Sequence, residues 1–397
     1  MENNNFKRAT IVAIIGAFSV GLVFILLGSI SVELMIELGI DAAQFGTLVM
    51  TLFLTMVIVQ LFIGPLVDKV GYKPVAIGGF LVTPVGILIL SFASSFTLAF
   101  FSCILLGIGA ISISTVANTL MPVVLFKGKD PARASNFGNA FFALGYVLTP
   151  WFVAFIINSL NLQYNSALLI ISILMFITLL FIFITNFPKV SIGFKFDMAL
   201  KLLLKPAVLI AAFALFCYIS LEVTLGTWIR MLMEELYGES TTLGTTARTS
   251  LVLGMFGVAM MVGRFISSTV KNLTAMGPKL IILASVISLL SILLMVFAWS
   301  PAVGIVAIII AGLVFGPIFP TIVGVTFSKF DPSLYGSIFG IIFSIGLLGG
   351  TFIPMIIGNL IVGYTVQQSL LIAAIMAVML IIISLFIART GNDKTVN

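Results

Sequence analysis

Gly64-Pro65-Leu66-Val67-Asp68-Lys69-Val70-Gly71-Tyr72-Lys73-Pro74 is a short charged stretch between two long apolar runs, residues 45–66 and 74–93. Crossing a hydrocarbon core roughly 30 Å thick takes about 20 apolar residues in a helix, and each flank is of that size. The charges belong at a lipid–water boundary, so the stretch reads as the turn between two membrane-spanning helices. Within it Gly71 lets the chain turn tightly and Gly64 lets a neighbouring helix approach. Asp68 is placed to meet either a helix N-terminus or a cation.

Working outward, charge clusters and Pro/Gly/Asn turns cut the chain into twelve apolar runs. They lie near 9–30, 45–66, 74–93, 97–122, 134–158, 166–187, 206–230, 249–270, 279–298, 302–327, 335–361 and 367–388. All are too long for barrel strands and none alternates strictly, so they must be helices with internally satisfied backbones. Composition agrees. The 397 residues are 61% hydrophobic and 8% charged, where soluble domains run near 45–50% and about 25%. The expected fold is an all-α membrane protein. The first run exceeds the apolar stretch of a secretory signal and no small-residue cleavage site follows it, so it is read as a retained span.

Lys and Arg sort the loops by side. With the N-terminus inside, all 19 positive residues except Arg230 and Arg248 fall on cytoplasmic segments. Both termini are therefore expected in the cytoplasm, with the protein in the cell (inner) membrane. The net charge of +6 is then a product of topology and gives no reason to expect nucleic acid. The connection 188–205, with four lysines, divides the chain into an N-terminal six-helix half, 1–187, and a C-terminal half, 206–397. The halves repeat weakly. Gly107 and Gly109 in the fourth run answer to Gly312 and Gly316 in the tenth, and Gly145 with Pro150 in the fifth to Gly346 with Pro354 in the eleventh. Paired glycines and prolines mark close packing at a repeat interface, or simply the frequency of Gly and Pro in membrane helices, the reading preferred for any single pair.

The chain has no histidine, which removes the commonest general base and transition-metal ligand. Cys103 and Cys217 lie inside apolar runs and read as small buried hydrophobes. No phosphate-cradling G-x-x-x-x-G-K-[ST] loop occurs, no acidic or Cys cluster suggests a metal, and no soluble segment could house an enzyme. The expectation is a non-enzymatic protein without cofactor or metal, working as a monomer in the lipid bilayer on a small-molecule substrate.

The 64–74 stretch resembles the G-x-L-x-D-[RK]-x-G-[RK]-[RK] signature of the major facilitator superfamily, with Tyr72 the one departure. The resemblance implies twelve helices in two six-helix pseudo-symmetric halves, working by alternating access. It also implies that the loop latches the halves on the cytoplasmic side. Gly64, Asp68, Lys69, Gly71, Lys73 and Arg264 are assigned to that gate. The counterpart from Gly263-Arg264 to Lys279 has no aspartate. A second stretch, Tyr218 through Glu222 and Gly226 to Trp228, resembles the Y-x-x-x-E-x-x-x-G-x-W pattern of the fucose:proton symporter-like branch, which carries monosaccharides. Asn118 with Pro122, Arg133 with Asn136 and Asn139, and Phe319-Pro320-Thr321 support that likeness.

Glu222 is the one carboxylate well inside an apolar run, where a charge is a functional candidate by default. Two plainer accounts stand beside that: it reaches water at the external end, or it pairs with Arg248 or Arg230. Tyr218, at i−4, shares its helix face. Together they offer a hydroxyl and a carboxylate to a polyol, and Glu222 could carry the coupling proton. Asn118 and Asn139 suit sugar hydroxyls, or serve as interhelical glue, the reading preferred for Asn136. Trp228 and Trp151 could stack on a sugar ring or anchor at the interface. Gln60, Thr115, Tyr146 and Thr321 are candidates for the cavity lining. The expected function is alternating-access transport of a neutral polar solute, first a hexose-like sugar, by symport with H+ rather than Na+. The alternative is export of drugs, lipids or other amphipathic compounds.

Overall fold

The computed structural model describes residues 2–40, 42–188, 202, 204–238, 243–361 and 363–387. Among these there is no strand, and twelve helices are long and apolar enough to cross a membrane. In chain order the helices are α1 (Glu2–Ser29), α2 (Ser31–Leu38), α3 (Ala42–Val70), α4 (Tyr72–Ser91), α5 (Phe96–Val124), α6 (Pro131–Asn158) and α7 (Tyr164–Phe183). They continue with α8 (Pro206–Tyr237), α9 (Leu243–Thr269), α10 (Leu273–Val296), α11 (Pro301–Phe327), α12 (Tyr335–Ile361), α13 (Val366–Ser369) and α14 (Leu371–Ile387). The chain is an all-α, multi-pass membrane protein.

Helix ends follow local chemistry. Ser95 Oγ accepts from Leu98 N to cap α5, and Ser300 Oγ accepts from Val303 N to cap α11, the same device at equivalent places in the repeat. Lys73 Nζ donates to Phe183 O at the end of α7, and Lys329 Nζ to Ile387 O at the end of α14. A cation there meets the negative end of the helix dipole. Several boundaries differ from the sequence reading: α1, α9 and α10 begin six or seven residues before their apolar runs, and Ser31–Leu38 forms a short helix of its own. Residues 231–237, expected in a loop, extend α8, because Leu232 and Met233 are buried and Gly238 at φ +65° ends the helix. Most of the connection 188–205 lies outside the described residues.

The chain packs as two compact units. Unit 1 comprises Met1–Gly128, Phe141–Leu202 and Pro332–Ser344, and unit 2 comprises Lys129–Ala140, Leu203–Asp331 and Ile345–Asn397. Helices α6 and α12 are thus each divided between them. In unit 1, α5 packs on α1, α3 and α4, and α4 packs on α7. In unit 2, α11 packs on α8, α9 and α10, while α14 packs on α8 and α10.

The repeat glycines have matching contacts. A Cβ on Gly107 would lie 2.7 Å from Leu52 O of α3, and one on Gly312 would lie 2.6 Å from Phe256 O of α9. Gly145 abuts Phe18 O of α1 as Gly346 abuts Leu215 of α8. At Gly107, Gly312 and Gly145 the facing atom is a backbone oxygen closer than any real Cβ tolerates, so these backbones touch only because the position is glycine; at Gly346 the neighbours are the Ile219 and Leu215 side chains.

Candidate functional site

The candidate side chains of unit 2 gather on α8, α9, α11 and the first part of α6. Arg264 of α9 has a side chain only 2% exposed, and its Nη2 lies 3.5 Å from Glu222 Oε1 on α8. Its Nε donates to Gly316 O at 2.9 Å and its Nη1 to Asn139 O at 2.8 Å. The Gly316 carbonyl is available for a reason written in the sequence. In a helix it would accept from the N–H four residues on, but that residue is Pro320, which has none. Arg264 supplies the missing donor. The charge is therefore held by one carboxylate and two carbonyls, as a buried guanidinium requires.

Glu222 differs from its partner in access, since its side chain keeps 22% of its exposure. The cation it meets is Arg264, which the sequence reading had placed in the gate. Tyr218, one turn earlier, is fully buried with its ring against Phe315 and Phe319, centroids 6.1 and 6.4 Å away. Its hydroxyl lies beside the Glu222 carboxylate and the Arg264 guanidinium. It makes no hydrogen bond of acceptable geometry. The hydroxyl thus stands between a carboxylate that can accept from it and a guanidinium that can donate to it, and a ligand's polar group entering here would meet all three.

The amides of Asn118, Asn136 and Asn139 all bond back to their own helices, and one of them also crosses to another. Asn118 Nδ2 donates to Ser114 O, and Asn139 Nδ2 to Ser135 O. It is the backbone carbonyl of Asn139, invisible to an inventory of side chains, that reaches Arg264. Asn136 Nδ2 joins α6 to α11 through Thr321 Oγ1 at 2.8 Å. Trp228 Nε1 donates to Pro354 O at 3.3 Å, and its ring covers Gly358. In unit 1, Gln60 is buried and accepts from Thr115 Oγ1 at 2.9 Å, leaving its Nε2 without a partner. Trp151 lies on a part of α6 that belongs to unit 1 and is 55% exposed.

The 64–74 stretch is built around Asp68, which is buried. Its carboxylate accepts from Gly336 N at 2.8 Å, Ser337 N at 2.6 Å and the Ser337 hydroxyl, capping the start of α12 inside unit 1. Gly64 makes room, since a Cβ there would lie 2.9 Å from Gly340 Cα and would collide with Gly336 O. Gly71, at φ +85°, sits where a side chain would be strained. Lys69 is exposed, and Lys73 is the cap of α7 described above.

Residues 12–354 match the Major Facilitator Superfamily. The chain belongs to that family. It is accordingly a membrane transporter and not an enzyme, and the family's fold supports secondary transport. No curated protein sequence matches it. Solved structures share the fold. The E. coli fucose:proton symporter FucP is 18% identical, with 95% of this chain and 99% of that one covered and a TM-score of 0.75. A second FucP structure, in the outward conformation, is 16% identical over 96% and 99%, with a TM-score of 0.78. The human organic anion transporter MFSD10 (TETRAN) is 14% identical over 96% and 99%, with a TM-score of 0.77.

Proposed function

We propose that this major facilitator protein takes up a neutral, hydroxyl-rich solute of hexose size by symport with a proton carried on Glu222. One observation supports the cargo class: Glu222 is the accessible member of the ion pair and Arg264 the occluded one, 22% against 2%. The site is neutral overall and presents an acceptor to whatever enters. Hydroxyl donors suit that acceptor, and the Tyr218 hydroxyl beside it adds a second polar group. An anion would meet the carboxylate before it met the guanidinium, which disfavours organic anions.

The proton follows from the same geometry. If Glu222 takes up a proton, Arg264 keeps two carbonyl acceptors, so neutralising the acid does not strand the cation. Such a carboxylate can be loaded and unloaded without unfolding its surroundings. The protein would act as a monomer without a resident cofactor, in the inner membrane with both termini in the cytoplasm.

The test uses proteoliposomes and radiolabelled L-fucose, D-galactose and D-glucose under an imposed pH gradient. Wild type should concentrate at least one of the three, and Glu222→Gln should lose accumulation while retaining part of its exchange. Equal gradient-driven accumulation by the two proteins would remove Glu222 from the coupling role. Lack of uptake of any sugar, with uptake of an organic anion instead, would overturn the cargo class.

A further inference from the structure

Asp130 stands immediately before α6 and is buried. Its carboxylate accepts from Leu273 N and Thr274 N, both at 2.9 Å, and from Thr274 Oγ1 at 2.6 Å. Those amides belong to the first turn of α10, whose N–H groups have no acceptor within the helix and whose dipole favours an anion. Neighbouring bonds tighten the junction. Ala132 N donates to Thr274 Oγ1 at 3.1 Å, and Arg133 Nε donates to Ser268 O, at the end of α9, at 2.7 Å. Gly324 of α11 permits the approach, because a Cβ there would collide with the backbone of Ala132. All these residues belong to unit 2.

This junction occupies the place where the second half carries a degenerate copy of the 64–74 stretch, the one without an aspartate. In unit 1, Asp68 on α3 caps α12; in unit 2, Asp130 at the head of α6 caps α10. The helices involved differ, but in both units a buried carboxylate from one helix end caps the start of another helix. Each junction pins the first turn of a helix whose remainder is counted in the other unit: α12 passes into unit 2 after Ser344, and α6 into unit 1 after Ala140. A displacement of one unit against the other therefore has to bend α6 near residue 140 or free its first turn from α10.

We propose that Asp130 supplies the aspartate that the second repeat lacks, and that its release from Leu273 and Thr274 is a step of the transport cycle. Asp130 acts as a positioning residue, through α6, and touches no cargo. The proposal rests on the chain being an alternating-access carrier but not on which solute it carries.

Its test needs no substrate. Ser135 lies one turn into α6, is 1% exposed, and its hydroxyl has no hydrogen-bond partner, so Ser135→Cys is a near-isosteric probe of whether the start of α6 stays packed. The full chain, with Cys103→Ser and Cys217→Ser, is placed in nanodiscs of phosphatidylethanolamine and phosphatidylglycerol. The initial rate of Ser135→Cys modification by N-ethylmaleimide is then measured. Asp130→Asn, which weakens the three charge-assisted bonds to α10 and a longer one from Arg133 N within α6, should raise the rate by about tenfold, and Thr274→Val, which touches only the α10 side, by about threefold. An unchanged rate in a well-folded Asp130→Asn protein would make the junction a static cap and overturn the proposal. If that variant fails to fold, Thr274→Val decides: a raised rate supports release, and the wild-type rate refutes it. Because no sugar enters the assay, failure here is distinct from failure of the cargo assignment.

Discussion

Removing Arg264 should cost this protein more than removing its ionic partner. In Arg264→Leu, the Glu222 carboxylate loses the cation 3.5 Å away, and the Gly316 and Asn139 carbonyls lose their donors. Breaking a buried pair from one side costs about 3–5 kcal/mol, because the remaining charge is uncompensated. Glu222 is partly accessible, so water can relieve some of that, and the low end applies. The Gly316 carbonyl adds to it, since Pro320 leaves it no helical donor, and a buried carbonyl left unpaired costs about 1–3 kcal/mol. About 4 kcal/mol is expected in all. Glu222→Gln should cost only about 1–2 kcal/mol, because the amide oxygen still faces the guanidinium and both carbonyls remain. This smaller figure follows from bonds to charged groups, worth about 1.5–3 kcal/mol, being weakened rather than lost. The double variant should be more stable than Arg264→Leu alone, since it removes the stranded carboxylate. Equilibrium unfolding of the four proteins in mixed micelles gives the cycle directly. Equal costs for the two single variants, or strict additivity in the double, would show that the pair is not what holds this part of unit 2 together.

Two further outcomes are expected. Tyr218→Phe should change stability by less than about 1 kcal/mol, because the hydroxyl it deletes lies beside Glu222 and Arg264 but makes no well-aligned bond to either. The same variant should bind sugar more weakly in a thermal-shift titration; a destabilised protein would show that the hydroxyl has a partner in the resting state. Asp68→Asn keeps one acceptor oxygen but loses its charge, so the start of α12 should weaken by about 1–2 kcal/mol. Amide exchange at Gly336 and Ser337 should then accelerate while that at Leu273 and Thr274 stays as in wild type, and acceleration at both places would mean that the two junctions are not separable.

Much of the fold was legible because hydrocarbon imposes a simple rule on sequence. A run long enough to cross the membrane must be a helix, so twelve runs gave twelve spans, with errors at several boundaries. The exceptions have physical causes. The last turns of α8 carry Glu234 and Glu235 and look like loop, yet Glu235 accepts from Val366 N at 2.6 Å and so caps the start of α13 from a helix. A carboxylate serving another helix's N-terminus has no local signature. Asp130 went unnoticed for the same reason: its partners lie 143 and 144 positions away, and beside Pro131 it reads as an ordinary turn residue. The free Gly316 carbonyl could have been found, since Pro320 stands four residues later, but nothing local says which donor fills it.

Residue types along the chain were enough to determine that the protein lives in lipid and crosses it as helices. They also picked out Glu222, because each charge in hydrocarbon needs a reason. Only the tertiary structure decided which cation answers Glu222, which helix starts Asp68 and Asp130 hold, and which amide, that of Asn136, joins two helices. Those outcomes depend on helices far apart in sequence meeting at glycines, where backbones come close enough for a side chain of one to reach the unpaired backbone groups of another.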